Sequence, residues 1–123
     1  MKNKESFGNE LLKIEVTEKD DTIEIRWMGK STDRSPSKFI TPILVNVLKV
    51  SGENEKRIIL DFRKLDYMNS STITPIIKVL ERAKKGKTQV SVIYSKALKW
   101  QDLNFSALKL FETKDKRVEI IGE

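Results

Sequence analysis

Along the chain the apolar residues change rhythm several times, and each rhythm predicts an element. Leu12, Ile14 and Val16 alternate with charged residues, as do Ile23, Ile25 and Trp27, with the polar Lys19-Asp20-Asp21 between them. A period of two on either side of a turn predicts an antiparallel strand pair with one exposed face. From Phe39 the spacing becomes three and four, through Ile40, Ile43, Leu44, Val47 and Leu48 to Gly52. This predicts a helix of about four turns, capped by Ser35 with Pro36 at its first position. Pro42 lies inside the pattern, so the helix either kinks there or has a separate first turn with Thr41 as a second cap.

Ile58-Ile59-Leu60-Asp61-Phe62 is a nearly continuous apolar run, the signature of a central strand covered on both faces. A second helix follows through Ile76, Ile77, Val79, Leu80 and Ala83 and stops at Gly86. Val90 to Tyr94 is the next strand. Trp100, Leu103, Ala107, Leu110 and Phe111 then keep one helical face, and Val118 to Ile121 closes the chain as a short strand. If residues 99 to 112 formed one straight helix, Phe105 and Leu108 would be an exposed strip on its other side; a break near Asn104-Phe105-Ser106 would return Phe105 to the core. The order β-β-α-β-α-β-α-β predicts an α/β fold with a mixed, mostly parallel sheet and right-handed crossovers. Residues 1–10, polar but for Phe7, read as a flexible tail, and 11–123 as a single domain.

The 123 residues suffice for one core without disulfides or metals. With neither cysteine nor histidine, the chain has no thiolate nucleophile, no Cys-ligated zinc and none of the commonest general base, so enzyme templates lose their central residue and no cofactor is expected. Its net charge of +6 comes from 24 basic residues interspersed with 18 acidic ones. The densest basic runs, Lys84-Lys85-Gly86-Lys87 and Lys114-Asp115-Lys116-Arg117, fall where helices hand over to strands and suit a helix's negative end better than nucleic acid. No early apolar run resembles a signal peptide and no stretch approaches the roughly 20 apolar residues of a membrane span, so a cytoplasmic protein without membrane insertion is expected.

One run carries more chemistry than the rest: Leu60-Asp61-Phe62-Arg63-Lys64-Leu65-Asp66-Tyr67-Met68-Asn69-Ser70-Ser71-Thr72, a strand emptying into hydroxyls ahead of a helix. Helix-initial amides lack partners and carry positive partial charge, so an oxyanion there is stabilised. The plainer role for Ser70 is an N-cap contributing about 1 kcal/mol. If the helix is regular only from the Thr74-Pro75 step, Ser70 and Ser71 sit in an ordered, exposed loop. Asp61 and Asp66 read as structural, at a strand end and in a turn.

The element order, the Ile58 to Phe62 strand and Leu65-Asp66-Tyr67-Met68-Asn69-Ser70-Ser71 together resemble the STAS domains of bacterial anti-sigma factor antagonists, in which "LDL" is followed by "F-M-D-S-S-G-L" and the first serine accepts phosphate. Tyr67-Met68-Asn69-Ser70-Ser71 is still more similar to the "Y-F-N-[ST]-S" loop of SiaC-type STAS-like regulators. Two positions depart from the anti-sigma pattern. Asn69 replaces the usual Asp, and Thr72 replaces a glycine that has easy access to positive φ. The resemblance implies a STAS-like fold with a short final helix, which favours the break near Phe105. It further implies a non-enzymatic partner switch: the unphosphorylated protein binds a partner, a GHKL or anti-sigma type kinase abolishes binding by modifying Ser70, with Ser71 or Thr72 as alternates, and a PP2C-type phosphatase restores it. The expected contact surface comprises Asn69, Ser70, Ser71, Thr72 and Thr74, then Thr32, Asp33 and Arg34 after the second strand, and Lys78 and Arg82 on the second helix. A weak dimer is compatible with it. The rival readings are an unmodified STAS-like scaffold and a small-anion or nucleotide-binding module.

Overall fold

The computed structural model describes residues 3–123. Its strands are β1 (Asn3–Gly8), β2 (Leu12–Glu18), β3 (Thr22–Ser31), β4 (Arg57–Met68), β5 (Val90–Tyr94) and β6 (Val118–Gly122). Helix α1 (Ser37–Asn54) joins β3 to β4, α2 (Ile73–Lys85) joins β4 to β5, and α3 (Lys99–Ser106) joins β5 to β6. A 3-10 turn over Ser70–Thr72 leads into α2, and another over Ala107–Phe111 continues α3. The strands lie side by side in chain order in one sheet, antiparallel from β1 to β3 and parallel from β3 to β6. Three parallel crossovers that each step to the next strand in the same direction, with the right hand usual for such units, place their helices on the same face.

The burial pattern agrees. Pairing aligns Ile14, Ile25, Leu60, Val92 and Ile120 on one face, and all are buried in a core shared with Ile40, Leu44 and Val47 of α1, Ile76 and Leu80 of α2, and Phe105 of α3. The other face carries Glu15, Glu24, Arg26 and Glu119 and meets solvent. The strand at Ile58–Phe62 is therefore interior in the sheet but covered by helices on one face only. Ile59 stays half-buried because its cross-strand neighbours Glu24 and Ser91 screen it.

Three further expectations are corrected. The segment read as a tail is, from Asn3 to Gly8, the edge strand β1, zipped to β2 from Asn3 opposite Glu18 to Gly8 opposite Lys13. Its lone apolar residue, Phe7, lies opposite Ile14 and packs on the core, while the Asn9 Oδ1 accepts the Leu11 and Leu12 amides (both 2.9 Å) to make the turn; Met1 and Lys2 lie outside the described residues. Helix α1 runs through Pro42 and past Gly52 without a separate first turn, and no side chain caps it. Pro42 is exposed, where water can hydrate the helix carbonyl that its missing N–H leaves unbonded. Finally, β4 does not end at Phe62. It continues to Met68, so Asp61 lies within a strand and Asp66 is in β4 rather than a turn.

Two register shifts against β3 explain why this extension is invisible to a period of two. Each shift gives β4 an extra residue, so its inward positions become Phe62, Leu65 and Met68, a period of three. On the β3 side the irregularity centres on Gly29 at φ +89°, where a Cβ would meet the Leu11 carbonyl oxygen at 2.0 Å.

Pairing of β4 with β5 ends at Asp61. Beyond it the side chain of Gln101, fully buried on α3, takes over the role of a neighbouring strand. Its Nε2 donates to the Phe62 and Leu65 carbonyls (2.7 and 2.9 Å) and its Oε1 accepts the Ser95 amide (2.8 Å).

The expected face of α3 is inverted. Gln101, Phe105 and Leu108 point inward and Leu103, Ala107 and Leu110 outward, Trp100 and Phe111 being half-buried. The expected break is present as a change from α to 3-10 geometry after Ser106, but Phe105 is in the core because it shares the buried face of α3 with Gln101, one turn before it. There its ring stacks on Phe62 (4.6 Å between centroids) and Tyr94 (5.9 Å).

Candidate functional site

The hydroxyl run lies where β4 ends and α2 begins, and its four residues divide sharply in role. Asn69, extended at φ −80° and ψ 167°, is the cap: its Oδ1 accepts the Thr72 amide (3.1 Å) and the Thr72 hydroxyl (2.8 Å). Thr72 is fully buried, and its Oγ1 lies 2.6 Å from the Oγ of Ser31, itself buried at the end of β3. Ser70 and Ser71 are exposed, and neither serves as the cap. The N-cap role considered for Ser70 thus belongs to Asn69. Thr72 is corrected as an alternate acceptor, because its hydroxyl is spent on holding the turn to β3.

The two departures from the anti-sigma pattern acquire physical reasons. The Nδ2 of Asn69 donates to the Asp33 carbonyl (2.7 Å), while the Asn69 amide donates to the Ser31 carbonyl (2.9 Å). An aspartate could supply the cap but has no N–H to give Asp33. Thr72 takes right-handed helical angles, φ −67° and ψ −30°, so no glycine is required.

Asn69 therefore ties the serine turn to the loop between β3 and α1, and that loop presents Thr32, Asp33 and Arg34 to solvent. Thr74, Lys78 and Arg82 are exposed at intervals of four along α2, continuing the line from Ser71. Lys78 and Arg82 also border a groove of about 170 Å³ between α1 and α2, lined by Leu44, Val45 and Leu48. The residues singled out from sequence thus fall into one joined pair of loops and one helix face. Beside the loops, Leu11, Leu12, Phe39 and Ile40 line a cleft of about 290 Å³ that shares Ser31 and Asp33 with them.

Two contributors, Gln101 and Arg117, escaped the sequence, and a third, Asp61, was read only as structural. Gln101 braces β4 just before the site, and a polar residue in the i−4 position to Phe105 was its only trace. Arg117 closes the far end of α2: its guanidinium donates to the carbonyls of Ala83 (2.6 Å), Lys84 (3.3 Å) and Gly86. The helix's negative end is thus met by an arginine from the β6 side as well as by its own lysines. Asp61 pairs with Arg63 (2.8 Å). Burial pushes the Asp61 carboxyl up, but hydrogen bonds from the Arg63 side chain and backbone, with the charges of Arg63 and Arg26, hold it below its ordinary value. Among the described residues no group of three or more acidic side chains could hold a metal, and no helix is long and apolar enough to cross a membrane.

The architecture is that of a known class. A crystal structure of an uncharacterised protein from Shewanella loihica with a SpoIIAA-like fold superposes with a TM-score of 0.55 over 97% of this chain and 90% of that one, at 19% identity. The chain is an α/β protein of that STAS-like class. Residues 10–102 match the model of the SiaC family regulatory phosphoproteins, and the chain belongs to that family. No curated protein matches the sequence.

Proposed function

We propose that the chain is a partner-switching regulator without catalytic activity of its own, controlled by phosphorylation of Ser70. The observation that carries this reading is the division of labour at the turn: Asn69 caps it and Thr72 fastens it to Ser31 of β3, leaving the Ser70 hydroxyl exposed. A phosphoryl group there adds about −1.5 to −2 charges and three acceptor oxygens. The added group displaces no internal bond of that hydroxyl, so the domain keeps its shape while its contact surface changes charge. That surface is Asn69 to Ser71 with Thr74, Thr32 to Arg34, and the Lys78–Arg82 side of α2. The enzymes that set the state are a GHKL-type serine kinase and a PP2C-type phosphatase, acting in the cytoplasm.

Co-expression with such a kinase, followed by intact-mass and fragment analysis, tests the reading. One phosphoryl group is expected on wild type and on Ser71→Ala, and none on Ser70→Ala. Ser70→Asp should weaken partner binding by about tenfold or more, the effect of one unpaired charge at a desolvated contact. An unmodified wild type together with a Ser70→Asp variant that binds normally rejects the switch in favour of a constitutive scaffold.

A further inference from the structure

On the outer side of α3, away from Gln101 and Phe105, Leu103 and Leu110 are 76% and 66% exposed. Ala107 lies between them, four residues after Leu103 and one 3-10 turn before Leu110, so the three make a continuous apolar stripe with the half-buried Trp100 and Phe111 along its margin. Scattered surface leucines are ordinary. A stripe with helical period strong enough to read as core in the sequence is a different object, because the real core of this segment uses the other side. It shares no residue with the serine turn or the Thr32–Arg34 loop.

Charge decides its occupant. Lys99 stands one turn before Leu103 on the same line, Lys109 precedes Leu110, and the Lys84 ammonium reaches the Leu110 carbonyl (3.1 Å); all three lysines are exposed. Asp102 and Glu112 are exposed acids of the same segment, but the Glu112 carboxylate is engaged by the Ile120 amide (3.1 Å), so the lysines still outnumber the acids here. A second copy would set these lysines against their equivalents in a molecule of net charge +6. A lipid surface fits poorly, because the Trp100 ring is held toward Phe105 (6.2 Å between centroids) and the stripe is only about three turns long. We propose that the outer face of α3 docks an acidic amphipathic helix of a protein partner, its leucine-type side chains on the Leu103–Ala107–Leu110 stripe and its carboxylates on Lys84, Lys99 and Lys109.

The test uses the full chain and a fluorescein-labelled designed helical peptide with leucines at i, i+3 and i+7 flanked by glutamates, with a control in which every glutamate is lysine. Anisotropy should show saturable binding of the acidic peptide and none of the lysine control, and Leu103→Ser/Leu110→Ser should weaken it by about tenfold or more. Both positions are exposed, so the double variant should melt close to wild type; if it melts low, Leu103→Ser alone carries the test. Absent binding of the acidic peptide, equal binding of both peptides, or binding untouched by the variant overturns the proposal. It is equally overturned by a sedimenting dimer, or by co-sedimentation with phosphatidylglycerol vesicles, that the same variant abolishes.

Discussion

Asn69, Ser70, Ser71 and Thr72 are chemically alike on paper and unlike in the fold. All four are small, polar and suited to a helix start, and the sequence makes the site legible because that cluster sits between a strand and a helical period. It does not reveal which of them caps and which stays free, because that depends on Ser31 and Asp33, some forty residues earlier in the chain (their bonds to Thr72 and Asn69 span 41 and 36 residues). Stability measurements separate the roles. Ser70→Ala should shift the urea unfolding free energy by less than about 0.5 kcal/mol, as for a surface position without a cap. Thr72→Val should cost about 1–3 kcal/mol, since it strands the buried Ser31 hydroxyl. Asn69→Asp should keep the cap but set a carboxylate against the Asp33 carbonyl, lowering stability by about 1 kcal/mol or more and loosening the β3–α1 loop, readable as faster amide exchange there.

At the level of elements, α2 and the regular half of β4 were legible because their periods are clean and Gly86 marks a stop. The failures share a cause. In β1 a single apolar residue is too little pattern, in β4 two bulges replace a period of two by three, and in α3 a buried glutamine stands where the pattern demands an apolar residue. Each of these was settled by tertiary bonds that local sequence does not encode. Gln101 is the sharpest case: Gln101→Leu keeps the volume but leaves the Phe62 and Leu65 carbonyls and the Ser95 amide without their partner. A loss of about 3 kcal/mol or more by chemical denaturation is expected. Phe105→Ala, which removes the ring that touches Phe62, Tyr94 and Trp100, should cost about 3–5 kcal/mol.

For the molecule as a whole, the absence of histidine means that no side chain has an ordinary pKa between pH 5 and 8, so stability should be flat across that range. The acid side differs. Asp61 is held below its ordinary value, and the Asp115 carboxyl is lowered to about 2 by hydrogen bonds from Thr113 and then Arg117, although Asp115 is exposed. A carboxylate with a depressed folded-state pKa contributes stability that is complete above its unfolded value, near 3.9, and is lost as pH falls through the folded value. Urea midpoints should therefore hold from pH 8 to 5 and decline below about pH 4, and Asp61→Asn should lower the plateau and shallow the decline.

The stretch of β4 from Phe62 to Met68 has β3 on one side and, on the other, the single side chain of Gln101 rather than a strand. It is a beam held along one side, whose end carries Asn69 and the serines and is itself tied to β3 through Ser31. Such a beam gives way at its weakest support, so its outer carbonyl bonds can open while the parallel strands behind it stay closed. In native-state hydrogen exchange the amides of residues 62–72 would form a separate, lower-energy opening unit than those of Ile58–Leu60. Local opening at the serine turn is then governed on that edge by one glutamine, without unfolding of the protein that carries it.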